Sequence, residues 1–332
     1  MAIDTGKVVT VFGGSGFLGR YVSRALAKRG HRIRVACRRP DLAYHLQTNG
    51  NMGQIQAIQA NLRYPWSIER AISGADHVIN LVGVLQSSGK QNFSSLHHEG
   101  AKAVAEAVRA AGISMTQMSA IGADEGSDSE YAKTKARGEA AVLAAVPDAV
   151  ILRPSLLFGA EDQFFNRFAA MASRSPFLPL IGGGETKFQP VYVADVAEAV
   201  ARAMEGEVAG GRIYELGGPE VMTFRELMEL MLKIICRKKR FVTLSYSTAS
   251  SMGRLLQSIP GAPITEDQVK QLRYDNVVSE AAKAEGRTFE AFGIEPRLMD
   301  AILPTYLVRF KPLGQFNRGG PLADAKGPPE LV

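Results

Sequence analysis

The chain has 332 residues, a net charge of +6, 46% hydrophobic and 22% charged residues, which suits a soluble globular protein with a sizeable core rather than a disordered or fibrous one. No apolar run reaches membrane-spanning length, Met1 runs almost directly into the first strand with no room for a secretory signal, and Cys37 and Cys236 lie far apart. Those features argue against a bilayer span, secretion, a disulfide and a thiol metal cluster, and a reducing, cytosol-facing compartment is expected. The positive excess comes with no nucleic-acid module and no basic stripe interleaved with aromatics, so an anionic lipid surface or an acidic protein partner is expected and nucleic acid is not.

A β-branched run, Val8 to Val11, enters a turn with Gly13, Gly16 and Gly19 at three-residue spacing. A helical pattern starts at once, with Leu18, Val22 and Leu26 on one face and Arg20, Arg24 and Lys28 on the other. Strand, glycine turn and helix present bare backbone N–H groups and a helix N-terminus to a dinucleotide pyrophosphate. Gly13, Gly16, Phe17, Leu18 and Gly19 are therefore expected at a cofactor. The second strand, His31 to Cys37, ends without an Asp or Glu and is followed by Arg38 and Arg39. An NAD site places a carboxylate there for the ribose hydroxyls, whereas guanidinium groups suit a 2′-phosphate. NADP(H) is expected in preference to NAD(H), with Arg38 and Arg39 facing that phosphate; the other reading is a solvated strand end.

The alternation continues through a strand at 55–58, a helix at 65–73, a strand at 77–82, a helix at 92–110 ended by Gly112, a strand at 115–119, a helix at 131–145 and a strand at 150–153. Strands regularly separated by helices make an α/β fold with a doubly wound parallel sheet, the Rossmann arrangement, over residues 1–155. Beyond that point shorter pieces and glycine-rich turns suggest a smaller C-terminal α/β lobe over 156–317, with later segments returning to the first unit. Helices are expected there at 195–204, 223–235, 266–272 and 296–308. Thr223 and Glu226 have capping-box spacing, and Thr265 is placed to cap the third of these helices. Residues 318–332, rich in proline and glycine, read as a disordered tail. The run Arg237-Lys238-Lys239-Arg240 is either a helix C-terminus with solvated cations or a lipid or partner surface. The apolar helix bearing Leu298, Ile302, Leu303, Tyr306 and Leu307, followed by Arg309 and Lys311, is either a membrane-side attachment or a packed core helix.

The fifth strand ends at Ser119-Ala120, and the next helix opens with Tyr131-Ala132-Lys133-Thr134-Lys135. Tyr131 and Lys135 sit one turn apart on one face. An ammonium beside a phenol, with a nicotinamide cation close by, favours phenolate and lowers its pKa, which makes a proton donor or acceptor for carbonyl–alcohol chemistry next to a hydride carrier. Tyr131, Lys135 and Ser119 are the catalytic candidates. His97-His98 has no further metal-like partner, so a packed or capping role is expected and no metal site.

With Asn61-Leu62, Asn80-Leu81-Val82-Gly83, Arg153-Pro154-Ser155-Leu156-Leu157-Phe158-Gly159, Val191 to Ala197 and Tyr214 to Pro219, these pieces resemble the extended or atypical branch of the short-chain dehydrogenase/reductase superfamily. The resemblance implies cofactor contacts at Asn61, Leu62, Leu81, Val82, Gly83, Tyr131, Lys135, Pro154, Leu156 and Leu157. More narrowly, Leu96 to Ala101, Ser129 to Lys135, Asp162 to Phe168, Asp267 to Leu272 and Asp275 to Ser279 resemble the nucleotide-binding accessory subunits of respiratory complex I (NADH:ubiquinone oxidoreductase). That narrower likeness implies a tightly held structural NADPH, peripheral-arm partners near the membrane and the quinone site, and a peripheral place on the cytoplasmic face of the inner membrane, or on the matrix side in a eukaryote. Departures from the catalytic pattern point the same way: Ala120 aligns with the catalytic Ser or Thr and leaves Ser119 as its neighbour, His97 replaces Asn, and Asn61 replaces Asp. The alternative is an active NADP-dependent reductase, dehydrogenase or epimerase acting on a carbonyl, quinone-like or other. A cofactor-redox sensor outside complex I is a third reading.

Overall fold

The computed structural model describes residues 6–87, 91–256 and 264–314. The tail expected at 318–332 lies outside them. Strands β1 (Val8–Phe12), β2 (Arg32–Cys37), β3 (Ile55–Gln59), β4 (His77–Asn80), β5 (Ser114–Met118) and β6 (Val150–Pro154) alternate with helices α1 (Phe17–Lys28), α2 (Pro65–Ile72), α3 (Glu99–Ala111) and α4 (Glu130–Ala145). Two-residue strands β7 (Leu157–Phe158) and β10 (Val191–Tyr192) pair with each other, as do β9 (Lys187–Phe188) and β12 (Met222–Thr223). The remaining elements are α5 (Phe165–Arg174), β8 (Phe177–Ile181), α6 (Val193–Glu205), β11 (Ile213–Leu216), α7 (Phe224–Ile234), β13 (Arg240–Leu244), α8 (Tyr246–Leu256), α9 (Glu266–Gln271), α10 (Glu280–Ala284) and α11 (Met299–Leu307).

Among the described residues the main sheet has seven parallel strands in the order β11-β6-β5-β4-β1-β2-β3. The chain winds outward from β1 to β3, then returns to lay β4 against the other side of β1. The strand order reverses between β1 and β4, and in open α/β sheets ligands bind outside the carboxyl ends of the strands at such a switch point. Both faces are covered, so the central strands are apolar throughout: Val9, Val11, Val78 and Ile79 are fully buried. One face packs against α1 and α6 through Val22, Leu26, Val196 and Val200, the other against α2, α3 and α4 through Ile68, Val104, Val108 and Val142. The edge strand β11 was not foreseen as a strand.

Two expected boundaries shift for identifiable reasons. The strand expected at 77–82 stops at Asn80, because the Asn80 Oδ1 accepts the Val82 N–H at 3.1 Å and turns the backbone out of the ladder. The helix expected at 92–110 begins instead as a π-turn, Ser94–His98, before α3. That wide turn buries the His97 ring, whose Nε2 accepts the Val84 N–H at 3.0 Å.

The lobe has its own core, with Phe158, Phe165, Leu178, Leu227, Met231, Leu303 and Leu307 all buried. The capping boxes at Thr223 and Thr265 are both formed. Helix α11 is a core helix rather than a membrane-side one: Met299, Leu303, Tyr306 and Leu307 are buried, and the Tyr306 hydroxyl donates to Asp162 Oδ2 at 2.5 Å. The basic run starts at a helix terminus, where the Arg237 N–H closes α7 on the Leu232 carbonyl at 3.0 Å, and runs on into a strand. Helix α7 closes on Cys236 in the left-handed region, Arg237 Nε donates to the Phe310 carbonyl at 2.9 Å, and Arg240 opens β13, which pairs with β8.

Three buried or nearly buried charges join the units. Arg153 on β6 forms a two-pronged pair with Glu139 of α4 at 2.6 and 2.8 Å and faces Glu215 of β11 at 3.7 Å, while Glu215 accepts the Ser279 N–H at 2.7 Å. Charge at such depth is tolerated only when paired, and removing one partner strands the other. Glu139→Ala is expected to lower the unfolding free energy by about 3–5 kcal/mol, whereas Glu106→Ala, in the exposed Lys102–Glu106 pair, costs less than about 1 kcal/mol. Urea denaturation of the two variants checks this, and equal midpoints would contradict it.

Candidate functional site

A cavity of about 1130 Å³ opens along the carboxyl ends of β1, β2, β4, β5 and β6 and continues into the lobe. It is lined by Gly13, Gly16, Phe17, Leu18, Gly19, Arg38, Asn61, Leu62, Leu81, Val82, Gly83, Ser119, Tyr131, Lys135, Pro154, Leu156 and Leu157. Every sequence candidate except Arg39 thus faces one space.

The glycine turn is built from its backbone. Gly13 has φ +77°, a left-handed conformation that glycine adopts without strain, and its N–H donates to the Ala36 carbonyl at 3.2 Å. Gly16 is the N-cap of α1, has no side chain to cap it, and is followed by a first turn without acidic residues, so the positive end of the helix faces the cavity unopposed. A Cβ on Gly16 would meet little besides the Gly13 carbonyl oxygen at 3.2 Å, whereas one on Gly19 would collide with Gly13 and Gly14. Gly16 therefore keeps open a space for a ligand, and Gly19 lets helix and turn pack.

The two arginines after β2 separate. Arg38 lines the cavity, while Arg39 turns to the carboxylate of Asp41, with Nη2–Oδ2 at 2.8 Å and Nε–Oδ1 at 3.1 Å. Both lie past the end of β2, where the chain bends at Arg38 and Asp41, two residues on, captures the Arg39 side chain. The shared role expected of both arginines rests on Arg38 alone in this geometry.

At the other end, α4 carries Tyr131 and Lys135. The Lys135 ammonium donates to the Met118 carbonyl at 3.3 Å and lies 5.9 Å from the centre of the Tyr131 ring. His97 and Phe93 pack edge-on against that ring. In the chain by itself, burial dominates both groups. Burial pushes Tyr131 up to about 12, and the Asp267 carboxylate adds to the rise. Burial lowers Lys135 to about 8, with Glu139 opposing. Desolvation penalises either charged form, and here it outweighs the attraction between ammonium and phenolate. The phenol can therefore donate a proton at neutral pH but is a poor base. Ser119 and Ala120 both line the cavity beside it, and the buried Ser119 Oγ has no hydrogen-bond partner among the described residues. His97 is a neutral packing residue, held at about 3 by burial, with Nδ1 3.3 Å from Thr134 Oγ1. No group of three His, Cys, Asp or Glu side chains that could hold a metal occurs among the described residues.

The residues suit a nicotinamide dinucleotide: an open glycine cradle, an unopposed helix N-terminus, Arg38 at the ribose end, and an orphaned Ser119 hydroxyl beside Tyr131 and Lys135. When bound, such a cofactor supplies or takes a hydride.

The lobe contributes residues whose roles the sequence did not disclose. Asp267, from α9, caps α4 across the molecule: its carboxylate accepts from the Ser129 hydroxyl at 2.9 Å, the Glu130 N–H at 2.8 Å and the Tyr131 N–H at 3.3 Å. Asn276 accepts from the Ser155 hydroxyl at 2.7 Å and the Leu156 N–H at 3.0 Å, and donates to the Ile121 carbonyl at 3.3 Å. Both lie in segments that stood out in the sequence, but nothing local to them indicates a partner so distant.

The lowered Lys135 has a consequence for stability. In the chain stripped of nucleotide, folded Lys135 titrates near 8 and the unfolded side chain near its ordinary 10.5. Between these values the unfolded state binds more protons, so unfolding free energy rises with pH by up to about 3 kcal/mol. Tyr131 acts with the opposite sign, but only from about 10 upward, where the free phenol ionises. Urea midpoints from pH 7.5 to 9.5 should climb, and Lys135→Met should flatten the climb; parallel profiles for the two proteins would contradict the assignment.

Residues 9–217 match the NAD dependent epimerase/dehydratase family. The chain is 36% identical over 330 residues to the NADH dehydrogenase [ubiquinone] 1 alpha subcomplex subunit 9, mitochondrial, of Arabidopsis thaliana, covering 96% of this chain and 80% of that one. It is 31% identical over 260 residues to the ceramide reductase of Caulobacter vibrioides, covering 78% and 80%. Among solved structures, dTDP-glucose 4,6-dehydratase from Bacillus anthracis in complex with NAD superposes with a TM-score of 0.69 at 17% identity, over 91% of this chain and 96% of that one, and shares the fold. With its NAD(P)-binding Rossmann sheet, glycine turn and lobe, the chain belongs to the NAD dependent epimerase/dehydratase family and is a homologue of the mitochondrial complex I subunit.

Proposed function

We propose that the chain is an NADP(H)-binding accessory or assembly subunit of respiratory complex I, which holds its cofactor as a structural element and turns it over little or not at all. The observation that carries this reading is the extent of the likeness to the Arabidopsis subunit, which runs through 96% of the chain and so includes the lobe. In this reading residues 1–155 form the cofactor unit, 156–317 the lobe that meets peripheral-arm subunits near the membrane, and the chain lies on the cytoplasmic face of the inner membrane, or on the matrix side in a eukaryote. No helix among the described residues is long and apolar enough to cross a membrane, which fits peripheral attachment, with exposed Lys238 and Arg240 available to anionic headgroups.

A second reading, an NADP-dependent reductase, dehydrogenase or epimerase acting on a carbonyl, is favoured by the Ser119 hydroxyl beside Tyr131 and Lys135. In it Tyr131 donates the proton to the carbonyl oxygen, Ser119 orients that oxygen, and Lys135 holds charge beneath both.

The preference for the 2′-phosphate rests on Arg38 and on the neutral, buried Cys37 at the strand end, whose thiol burial pushes up. The unmodified protein is expected to bind NADPH at least tenfold more tightly than NADH, and Arg38→Asp to erase that margin, since hydrogen bonds to charged groups contribute about 1.5–3 kcal/mol. Calorimetry with both cofactors decides it; equal affinities in the unmodified protein would refute the assignment.

The functional test follows the chain in native membranes. A tagged copy should co-migrate with complex I on native gels. Gly16→Val should lose NADPH and weaken that assembly, because bound ligand at a hundredfold its Kd stabilises the fold by about 2.7 kcal/mol, and Tyr131→Phe should leave both intact. Absence from complex I, together with rapid NADPH oxidation by a carbonyl that requires Tyr131, would install the second reading instead.

A further inference from the structure

The cavity does not end at Tyr131. It continues into the lobe between two segments that the function above leaves unused, 162–168 and 267–272. One wall is a cluster of four phenylalanines: Phe168 lies 5.2 Å from Phe164 and 5.3 Å from Phe224, and Phe188 lies 6.1 Å from Phe164, between ring centres. Ile181, Leu244, Ala249, Met252, Ile264 and Leu272 line the same arm. Three polar groups along this arm are already engaged. The Gln268 amide takes part in the capping box of α9, Gln271 Nε2 donates to Asp267 at 3.0 Å, and Asp275 accepts the Lys187 N–H at 2.8 Å.

Sites for one small ligand span about 300–1000 Å³, and the 1130 Å³ here exceeds that range because the lobe arm is continuous with the cofactor end. A sugar or other polyhydroxylated ligand in the arm would set hydroxyls against phenylalanine, where an unpaired hydroxyl is penalised. A flexible hydrocarbon chain meets no such penalty and gains for every methylene taken out of water.

We propose that the lobe arm binds the hydrocarbon tail of a single-chain amphiphile, an aliphatic lipid whose polar head reaches Ser119 and Tyr131 at the cofactor end. This inference rests on the reading of that end as a nicotinamide site, and it names the class of second ligand that the same cavity accepts. Arg167, on the wall that carries Phe168, is the feature a nucleotide sugar would need, so UDP-glucose is the control.

The probe is a series of methyl ketones from about six to about fourteen carbons, titrated below their aggregation limits into the NADPH-loaded full-length chain, and each added methylene should tighten binding about two- to fourfold until the arm is full. Ala249→Phe, which fills the slot from a buried position and so lowers the melting temperature somewhat, should weaken the longest ketone at least tenfold while bound NADPH is retained. Met252→Glu, at a partly exposed position that tolerates a charge, should weaken it likewise and guards against misfolding of the first variant. An affinity that does not change with chain length, or UDP-glucose binding more tightly than every ketone, would overturn the proposal while retained NADPH leaves the cofactor reading standing. A chain that binds no NADPH yet shows the length dependence would overturn the cofactor reading and sustain the lipid slot.

Discussion

The site depends on how one face of α4 disposes of its ionisable groups. Tyr131, Lys135 and Glu139 recur every fourth residue and so form a single stripe against the sheet. The two charged members cannot be buried there without a partner. Lys135 reaches the last carbonyl of β5, Glu139 takes the guanidinium of Arg153 on β6, and Arg153 in turn faces Glu215 on β11. Three strands thereby fix one helix in rotation and height. The phenol at the top of the stripe inherits that rigidity, which sets it beside Ser119 at the cavity wall. The same burial that demands partners also raises the phenol and lowers the ammonium, so the geometry of the stripe and its protonation share one physical origin.

Much of the first half was legible because its signals are local. The β-branched strands, the glycine turn and the amphipathic helices each declare themselves within about twenty residues, and the parallel winding follows from their alternation. What escaped were features settled by distant partners. Strands β8 and β13 pair across more than sixty residues, and their short mixed sequences carry no alternating pattern. The edge strand β11 is legible only once β6 is there to receive it. Helix α11 reads equally well as a membrane-side or a core helix, and the packing of Leu303 and Leu307 in the core of the lobe decided the matter.

At the site, residue identity was easier to read than residue state. Nearly every cavity-lining position expected near the cofactor could be named from its motif, yet the pairing of Arg39 with Asp41 and the direction of the Tyr131 shift could not. Both are sums over surroundings: the first depends on which way a side chain leaves the strand, the second on how much water is excluded. Asp267 and Asn276 show the same limit from the other side. Their segments were conspicuous, but their purpose lies in backbone groups of α4 and of the β6–β7 connection that no local pattern connects to them.

The Asp267 cap also orders events in time. The carboxylate that satisfies the first N–H of α4 comes from 137 residues further along the chain. During synthesis the sheet can assemble around the glycine turn while that helix end has only its local Ser129 cap, and contacts of such long sequence separation form late because loop closure must precede them. The phenol thus acquires its final setting only after the lobe has emerged and docked. A nascent or C-terminally shortened chain would offer a cofactor cradle without a completed site, so competence at this site arrives last and reports that the whole chain has folded.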